Sequence, residues 1–323
     1  MHRTDLGEYL VGDSFKIIDS YISKKYKNKI QLILTSPPYP LNSPREYGNL
    51  KGREYIEFFV SLGKKFQDLL TDDGSFVIEL GNTWEANRPM QSTIHLECGL
   101  GLAKSRDNDF NLVQEFICHN PASLPSPTRW AAIKKIRLVD SYSHLWWFSK
   151  SDYPKADSKK ILRPYSKSMK NLLKNKKMIS RKHPSGYKMN KRSILKDNGG
   201  ALMVNFIDVD KAFDMEELRL PEASMRFSNT DSSSFFYKEC KALGIKKVHP
   251  ARMSMRLAGL FIEFLTDEND IVYDPFGGSN TTGYCSEKLN RKWITSEIKE
   301  EYESQSMIRL SEESLNNNLR KIS

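Results

Sequence analysis

The chain has 323 residues, 39% of them hydrophobic, enough to bury one large core or two smaller ones without covalent staples. Its four cysteines, Cys98, Cys118, Cys240 and Cys285, stand far apart with no C-x-x-C pair and no Cys/His cluster at ligand spacing, which argues against structural zinc and a disulfide framework. The formal charge of +10 is gathered in one block, where Lys150 to Lys196 holds sixteen Lys or Arg against Asp152 and Asp157, leaving the remainder mildly acidic. The start, MHRTDLGEYLVGDS, has no apolar leader region, and no stretch approaches the roughly 18 apolar residues of a membrane span. A soluble protein of a reducing, cytoplasmic compartment is expected.

Glu8 to Val11 reads as a short strand, and Gly12-Asp13-Ser14 leads into an amphipathic helix through Phe15, Ile17, Ile18 and Tyr21. Asp13 falls where open α/β sheets bind ligands, although an N-cap or turn role suits it equally. Ile30 to Leu34 is an apolar run of strand length that stops at Thr35-Ser36-Pro37-Pro38-Tyr39-Pro40. Consecutive prolines fix φ and lack N–H groups, so the Ser36 and Pro37 carbonyls have no ladder partner. A hydroxyl, free carbonyls and an aromatic face within four residues suit a flat heterocycle with an exocyclic amine, that is, a nucleobase. The plainer alternative is a proline-rich turn with Tyr39 in the core.

Arg53 to Leu70 repeats apolar residues at helical spacing, Asp72-Asp73-Gly74 reads as the turn that ends it, and Ser75 to Leu80 as the next strand. Alternation of strand and helix predicts a mostly parallel sheet with helices on its faces. Gly81 to Asp109 reads as a long loop with a short helix at Ile94 to Leu102. Leu112 to Cys118 resumes strand character before the proline-rich tract Asn120 to Pro127, and Ser143 to Phe148 is a further strand. Residues 150 to about 247 read as an inserted domain rather than a continuation of the sheet. Their basic block is the footprint expected of phosphate-backbone binding, with a solvated linker as the alternative.

The last quarter is orderly: a helix over Met255 to Leu265, a turn at Asp267 to Asp270, and a strand at Ile271 to Tyr273. The loop Asp274-Pro275-Phe276-Gly277-Gly278-Ser279-Asn280-Thr281-Thr282-Gly283 opens a helix through Leu289. A strand at Lys292 to Ser296 then ends at Glu297. Glycines admit a ligand to the backbone, the helix start offers N–H groups, and an acid about 20 residues on can bind two ribose hydroxyls. A plain βαβ turn with Glu297 at the surface is the alternative.

TSPPY resembles the catalytic motif of amino-group DNA methyltransferases, (S/D/N)-P-P-(Y/F), in the serine form of the cytosine-N4 enzymes rather than the Asp or Asn form of the adenine-N6 enzymes. FGGSNTTG resembles the F-x-G-x-G loop for S-adenosylmethionine more than a dinucleotide G-x-G-x-x-G. Catalytic loop before donor loop resembles the permuted class termed beta. With NPASLPSP, HLWWFSK, KDNGG and HPAR, the chain resembles the PvuII-type modification methyltransferases. The resemblance implies an α/β, Rossmann-like methyltransferase fold, a mostly parallel twisted sheet with helices on both faces, circularly permuted, with an inserted smaller target-recognition domain. Residues 1–150 would form the catalytic part, 151–247 the target-recognition region and 248–323 the donor-binding part.

It further implies transfer of a methyl group from S-adenosyl-L-methionine to the N4 amine of a cytosine flipped out of double-stranded DNA. The setting would be a type II restriction-modification system with a cognate endonuclease. Ser36, Pro37, Pro38 and Tyr39 would be catalytic. Asp13, Asp274, Phe276, Gly277, Gly278, Ser279, Asn280, Thr281, Glu297 and His249 would hold the donor, although His249 could equally cap a helix. Lys167, Lys170, Lys174, Lys177, Arg181 and Lys182 would bind DNA, and no metal is expected. Ring-carbon methylation needs a cysteine after proline, and none of the four cysteines follows one. Adenine-N6 methylation, a catalytically inactive DNA-binding protein and an RNA substrate are the remaining alternatives.

Overall fold

The computed structural model describes residues 1–39, 50–104, 108–119, 127–176, 195–208, 235–245, 247–249 and 253–311. The strands are β1 (His2–Arg3), β2 (Gly7–Val11), β3 (Ile30–Thr35), β4 (Leu70–Gly81), β5 (Asn111–His119), β6 (Tyr142–Ser149), β7 (Phe206–Asp208), β8 (Ile271–Asp274) and β9 (Lys292–Glu297). The helices are α1 (Ser14–Ile17), α2 (Ser23–Tyr26), α3 (Gly52–Leu69), α4 (Ile94–Lys104), α5 (Lys167–Asn175), α6 (Phe235–Ala242), α7 (Met255–Leu265), α8 (Thr281–Lys288) and α9 (Glu301–Arg309). A π-turn over Ile18–Ile22 joins α1 to α2.

All nine described strands form one sheet in the order β1-β2-β9-β8-β3-β4-β6-β5-β7. The central pairs β2/β9, β9/β8, β8/β3 and β3/β4 are parallel, whereas β4/β6 and β6/β5 are antiparallel. β3 lies in the middle and is buried along its whole length, as a strand covered on both faces must be, and its run of branched aliphatics follows from that. Leu32 and Leu34 face one core with Phe261 and Trp293, and Ile33 faces the other with Phe59, Phe66 and Phe76. α3 supplies the second core from one stripe, Tyr55, Phe59, Leu62, Phe66 and Leu69, at helical spacing. Truncating Phe59 or Phe66 to Ala would cost about 3–5 kcal/mol through lost burial and the void left behind.

Several elements differ from the sequence reading, β1, α5 and α6 among them. Asp72-Asp73-Gly74 does not turn the chain but forms a bulge within β4, between the pairs Ile30↔Leu70 and Leu32↔Ser75. The Asp73 carbonyl there accepts from Lys155 N at 3.0 Å and from Gln31 Nε2 at 3.3 Å, so its polar backbone is satisfied inside the sheet. Residues 150–247, read as standing apart from the sheet, send β7 into its edge parallel to β5. A final helix, α9, packs where no element was anticipated.

All four cysteines are free and buried. Burial pushes the Cys98 and Cys285 thiols up to about 12 and the Cys118 thiol well above its ordinary value. Among the described residues no helix is long and apolar enough to cross a membrane, and no His/Cys/Asp/Glu group could hold a metal ion.

Candidate active site

β3 and β8 are parallel neighbours, so the two loops singled out in the sequence leave the sheet at the same end. Thr35 closes β3 and donates from Oγ1 to Asp274 Oδ1 at 2.7 Å, while Thr282 of α8 donates to Asp274 Oδ2 at 2.7 Å and Phe276 N to Oδ1 at 3.1 Å. Burial raises the Asp274 carboxyl against the pull of these donors. Asp274 is thus a buried bracket between the strand that ends at Thr35 and the glycine loop.

The loop of Ser36 to Tyr39 follows at once. The Ser36 hydroxyl donates to Tyr39 Oη at 3.3 Å. Tyr39 lies over Gly81 at the end of β4, where a Cβ would come within 2.6 Å of the ring. The tyrosine is therefore placed by the absence of a side chain on the neighbouring strand. Beneath it stands Glu79, the one charged side chain of the stretch Phe76–Leu80, which accepts from Ser143 Oγ at 2.8 Å and has the Ser36 hydroxyl close by. Burial raises the Glu79 carboxyl despite both hydroxyls, and burial with the nearby Glu79 charge raises the Tyr39 phenol. Glu79 and Ser143 were missed in the sequence. The available signal was one acid inside SFVIEL, whose register opposite β6 only the pairing reveals.

The glycine loop is shaped by close packing. A Cβ at Gly277 would lie 2.0 Å from Thr295 Cγ2, and Gly278 has φ of +51° with the His249 ring 2.8 Å from where its Cβ would be. Gly278 N donates to Glu297 Oε2 and Lys299 N to Glu297 Oε1, each at 2.9 Å, and Tyr9 Oη donates to the Gly278 carbonyl at 2.7 Å. Burial raises this carboxyl as well, against the pull of the backbone N–H groups that reach it. Asn280 has φ of +62° and spends its side chain on Gly283 N, Thr295 Oγ1 and Ser306 Oγ. With Ser279 and Thr281 it is buried within the loop.

Asp13 caps α1, its Oδ1 accepting from Phe15 N at 2.9 Å and Lys16 N at 3.3 Å, beside Gly12, whose N–H donates to the Glu297 carbonyl at 2.8 Å. The chain's two ends therefore meet at one site: Asp13, Phe276, Gly277, Gly278, His249 and Glu297 surround the glycine loop. His249 rests edge-on against Tyr302, 4.5 Å between ring centres, and its backbone N–H donates to Gln305 Oε1 at 2.9 Å.

The basic block is placed differently. Lys167, Lys170 and Lys174 lie on α5, while Lys177, Arg181 and Lys182 fall outside the described residues. Lys170 shares a pocket with Lys159, Lys160 and Arg163. Lys160 Nζ donates to the Thr266 carbonyl at 2.8 Å, just ahead of β8, so this pocket opens at the end of the sheet opposite Ser36. At ~3.3 Å per strand residue, about 20 Å separate the two ends.

A family profile described as DNA methylase matches residues 30–307. The chain is 36% identical over 320 residues to the type II methyltransferase M.PvuII of Proteus hauseri, covering 98% of this chain and 86% of that protein. It is 50% identical over 46 residues to the type II methyltransferase M.BamHI of Bacillus amyloliquefaciens, covering 14% of this chain and 11% of that one. Among solved structures, PvuII DNA methyltransferase (cytosine-N4-specific) matches with a TM-score of 0.70 at 31% identity, covering 99% of this chain and 93% of that one. A Thermus thermophilus protein complexed with S-adenosyl-L-methionine matches in fold alone, TM-score 0.52 at 15% identity, covering 96% and 95% of the two chains.

Proposed function

The chain belongs to the DNA methylase family, and we propose that it methylates the exocyclic N4 amine of a cytosine rotated out of duplex DNA. The carrying observation is the 2.7 Å bond from Thr35 to Asp274, which fixes the Ser36 loop and the glycine loop on neighbouring strands. The glycine loop fits S-adenosylmethionine: Gly277 and Gly278 leave no room for side chains, and Glu297 and Asp13 present carboxylates beside it. When bound, this cofactor supplies an electrophilic methyl group on a positively charged sulfur.

The residues of the chain supply position and proton handling. The cytosine amine is a poor nucleophile because its lone pair is delocalised into the ring. Ser36 Oγ and the Pro37 carbonyl accept its two hydrogens and favour the localised form, while Tyr39 stacks on the base. As the new N–C bond forms, the amine must lose one proton. Ser36 Oγ takes it as its own hydroxyl proton turns from Tyr39 Oη to the nearby Glu79 carboxylate, whose raised proton affinity makes it a stronger acceptor than an ordinary glutamate. A covalent enzyme intermediate is unnecessary.

Kinship to a type II enzyme supports protection of DNA from a nuclease that cuts the same sequence, and with it a cytoplasmic place of action. Lys167, Lys170 and Lys174, at the end of the sheet opposite Ser36, contact phosphates of DNA flanking the target rather than the target nucleotide. Lys177, Arg181 and Lys182 continue the same basic tract. Residues 151–247 choose the sequence. The test is incubation of the full chain with duplex DNA and labelled S-adenosylmethionine, followed by mass spectrometry of nucleosides. N4-methylcytosine is expected; N6-methyladenine, or transfer confined to RNA, would overturn the assignment.

A further inference from the structure

Between the upper ends of β5 and β6 runs a segment, residues 127–141, that the proposed chemistry has not used. β5 and β6 pair there at His119↔Tyr142 and Cys118↔Ser143, and Ser143 is the residue that holds Glu79. Asn82, next to the Gly81 that carries Tyr39, donates to the Tyr142 carbonyl at 3.3 Å. The segment is therefore mounted on the rim of the catalytic loop.

Its composition is unusual for a surface. Ile133, Ile136, Leu138 and Val139 are 68%, 63%, 87% and 44% exposed, four large aliphatics within seven residues. Cations alternate with them, namely Arg129, Lys134, Lys135 and Arg137, and Asp140 is the one acid. The segment holds its own shape. Ala131 N donates to the Pro127 carbonyl at 2.9 Å, Lys134 N to Arg129 O at 2.9 Å and Ile136 N to Trp130 O at 3.0 Å. Arg137 Nη2 grips Asp140 at 3.0 and 3.1 Å. Arg137 Nη1 is buried without an acceptor. Exposed apolar tips on a self-braced, basic loop match a duplex whose stack is to be opened: cations meet the phosphates, and an aliphatic side chain fills the gap.

We propose that residues 133–139 form a wedge that enters duplex DNA, Leu138 with Ile136 occupying the space vacated by the target base while Lys134 and Lys135 hold the adjoining phosphates. This rests on the base-rotation reading above. A wedge lowers the work of unpairing, so its loss matters least where the target is already unpaired.

The experiment compares methyl transfer to two duplexes carrying the recognised sequence, one paired and one with the target cytosine mispaired, using the full chain. Leu138→Ala is expected to raise the mispaired-to-paired rate ratio about tenfold, in line with a base-extrusion cost of a few kcal/mol. Leu138→Phe, which keeps a filler, should hold the ratio near that of the wild type. Lys134→Ala with Lys135→Ala should reduce the log-log salt slope of DNA binding by about two. An unchanged ratio in Leu138→Ala, or equal loss on both duplexes, overturns the wedge. Failure of the wild type to methylate even the mispaired duplex instead removes the methyl-transfer reading, and the wedge with it.

Discussion

Thr35 and Asp274 are 239 positions apart in sequence, and their side chains meet at 2.7 Å in the interior. One carboxylate thus ties the strand that delivers Ser36 to the loop expected to receive the cofactor. Asp274→Ala would strand the Thr35 and Thr282 hydroxyls and the Phe276 N–H. At about 1–3 kcal/mol for each unsatisfied buried group, a loss of at least about 3 kcal/mol in chemical denaturation is expected. S-adenosylmethionine affinity should fall with it in calorimetry. Thr35→Val, which removes one donor and keeps the shape, should cost about 1–2 kcal/mol.

Gly277 tests whether the loop's shape matters for the cofactor alone. Gly277→Ala drives a methyl group into Thr295 Cγ2 and is expected to weaken S-adenosylmethionine binding by more than about tenfold. Adding Thr295→Ser removes the obstructing methyl yet keeps the hydroxyl that donates to Asn280, so the double variant should recover most of the affinity. No recovery would place the damage elsewhere.

Ser36→Ala should lower kcat by about 10²–10³-fold, as expected when one positioned group at the reacting centre is removed, with cofactor binding intact. Tyr39→Ala should raise KM for DNA more than it lowers kcat on a mispaired target, since stacking contributes about 1–3 kcal/mol to holding the base. Measuring both constants for both variants separates acceptance of hydrogens from capture of the base.

Glu79 predicts a pH dependence. Burial raises its carboxyl, so the proton-accepting form is lost as pH falls through that raised value, and kcat falls with it. Glu79→Gln should erase this acidic limb and leave a plateau lower by about 10²-fold. Stability should move the other way. Between the ordinary and the raised values the folded protein binds more protons than the unfolded one, so stability declines as pH rises through that window. Glu79→Gln should therefore be more stable than the wild type at about pH 8 and equal to it near pH 4, as read by denaturation midpoints.

Lys167, Lys170 and Lys174 should act on DNA binding without touching chemistry. Changing all three to Gln should flatten the salt dependence of the dissociation constant by about three in log-log slope. The transfer rate at saturating DNA should stay unchanged, because α5 stands beside the opposite end of the sheet from Ser36.

Much of this architecture could be read from residue order because prolines and glycines restrict or free the backbone locally. TSPPYP and the glycine loop announce their positions without knowledge of what packs on them. The apolar runs of β3, β8 and α7 did the same through periodicity. What stayed hidden depends on the far side of each residue. Asp72-Asp73-Gly74 has turn chemistry, yet Lys155 and Gln31 reach in and keep it in the sheet. Asp274 and Asn280 sit in a ligand-binding motif, but only their partners reveal that they face inward. Glu79 carries no local signature, because its meaning lies in Ser36 and Ser143, brought there from other strands.

The burial of all four thiols has a practical outcome. At neutral pH Cys98, Cys118 and Cys285 stay protonated as well as hidden, so alkylating reagents find little to attack on the folded protein. A cysteine introduced at an exposed position such as 138 would have no native competitor, and one fluorophore or one thiol-tethered oligonucleotide could be attached at a single known atom of the unmodified scaffold.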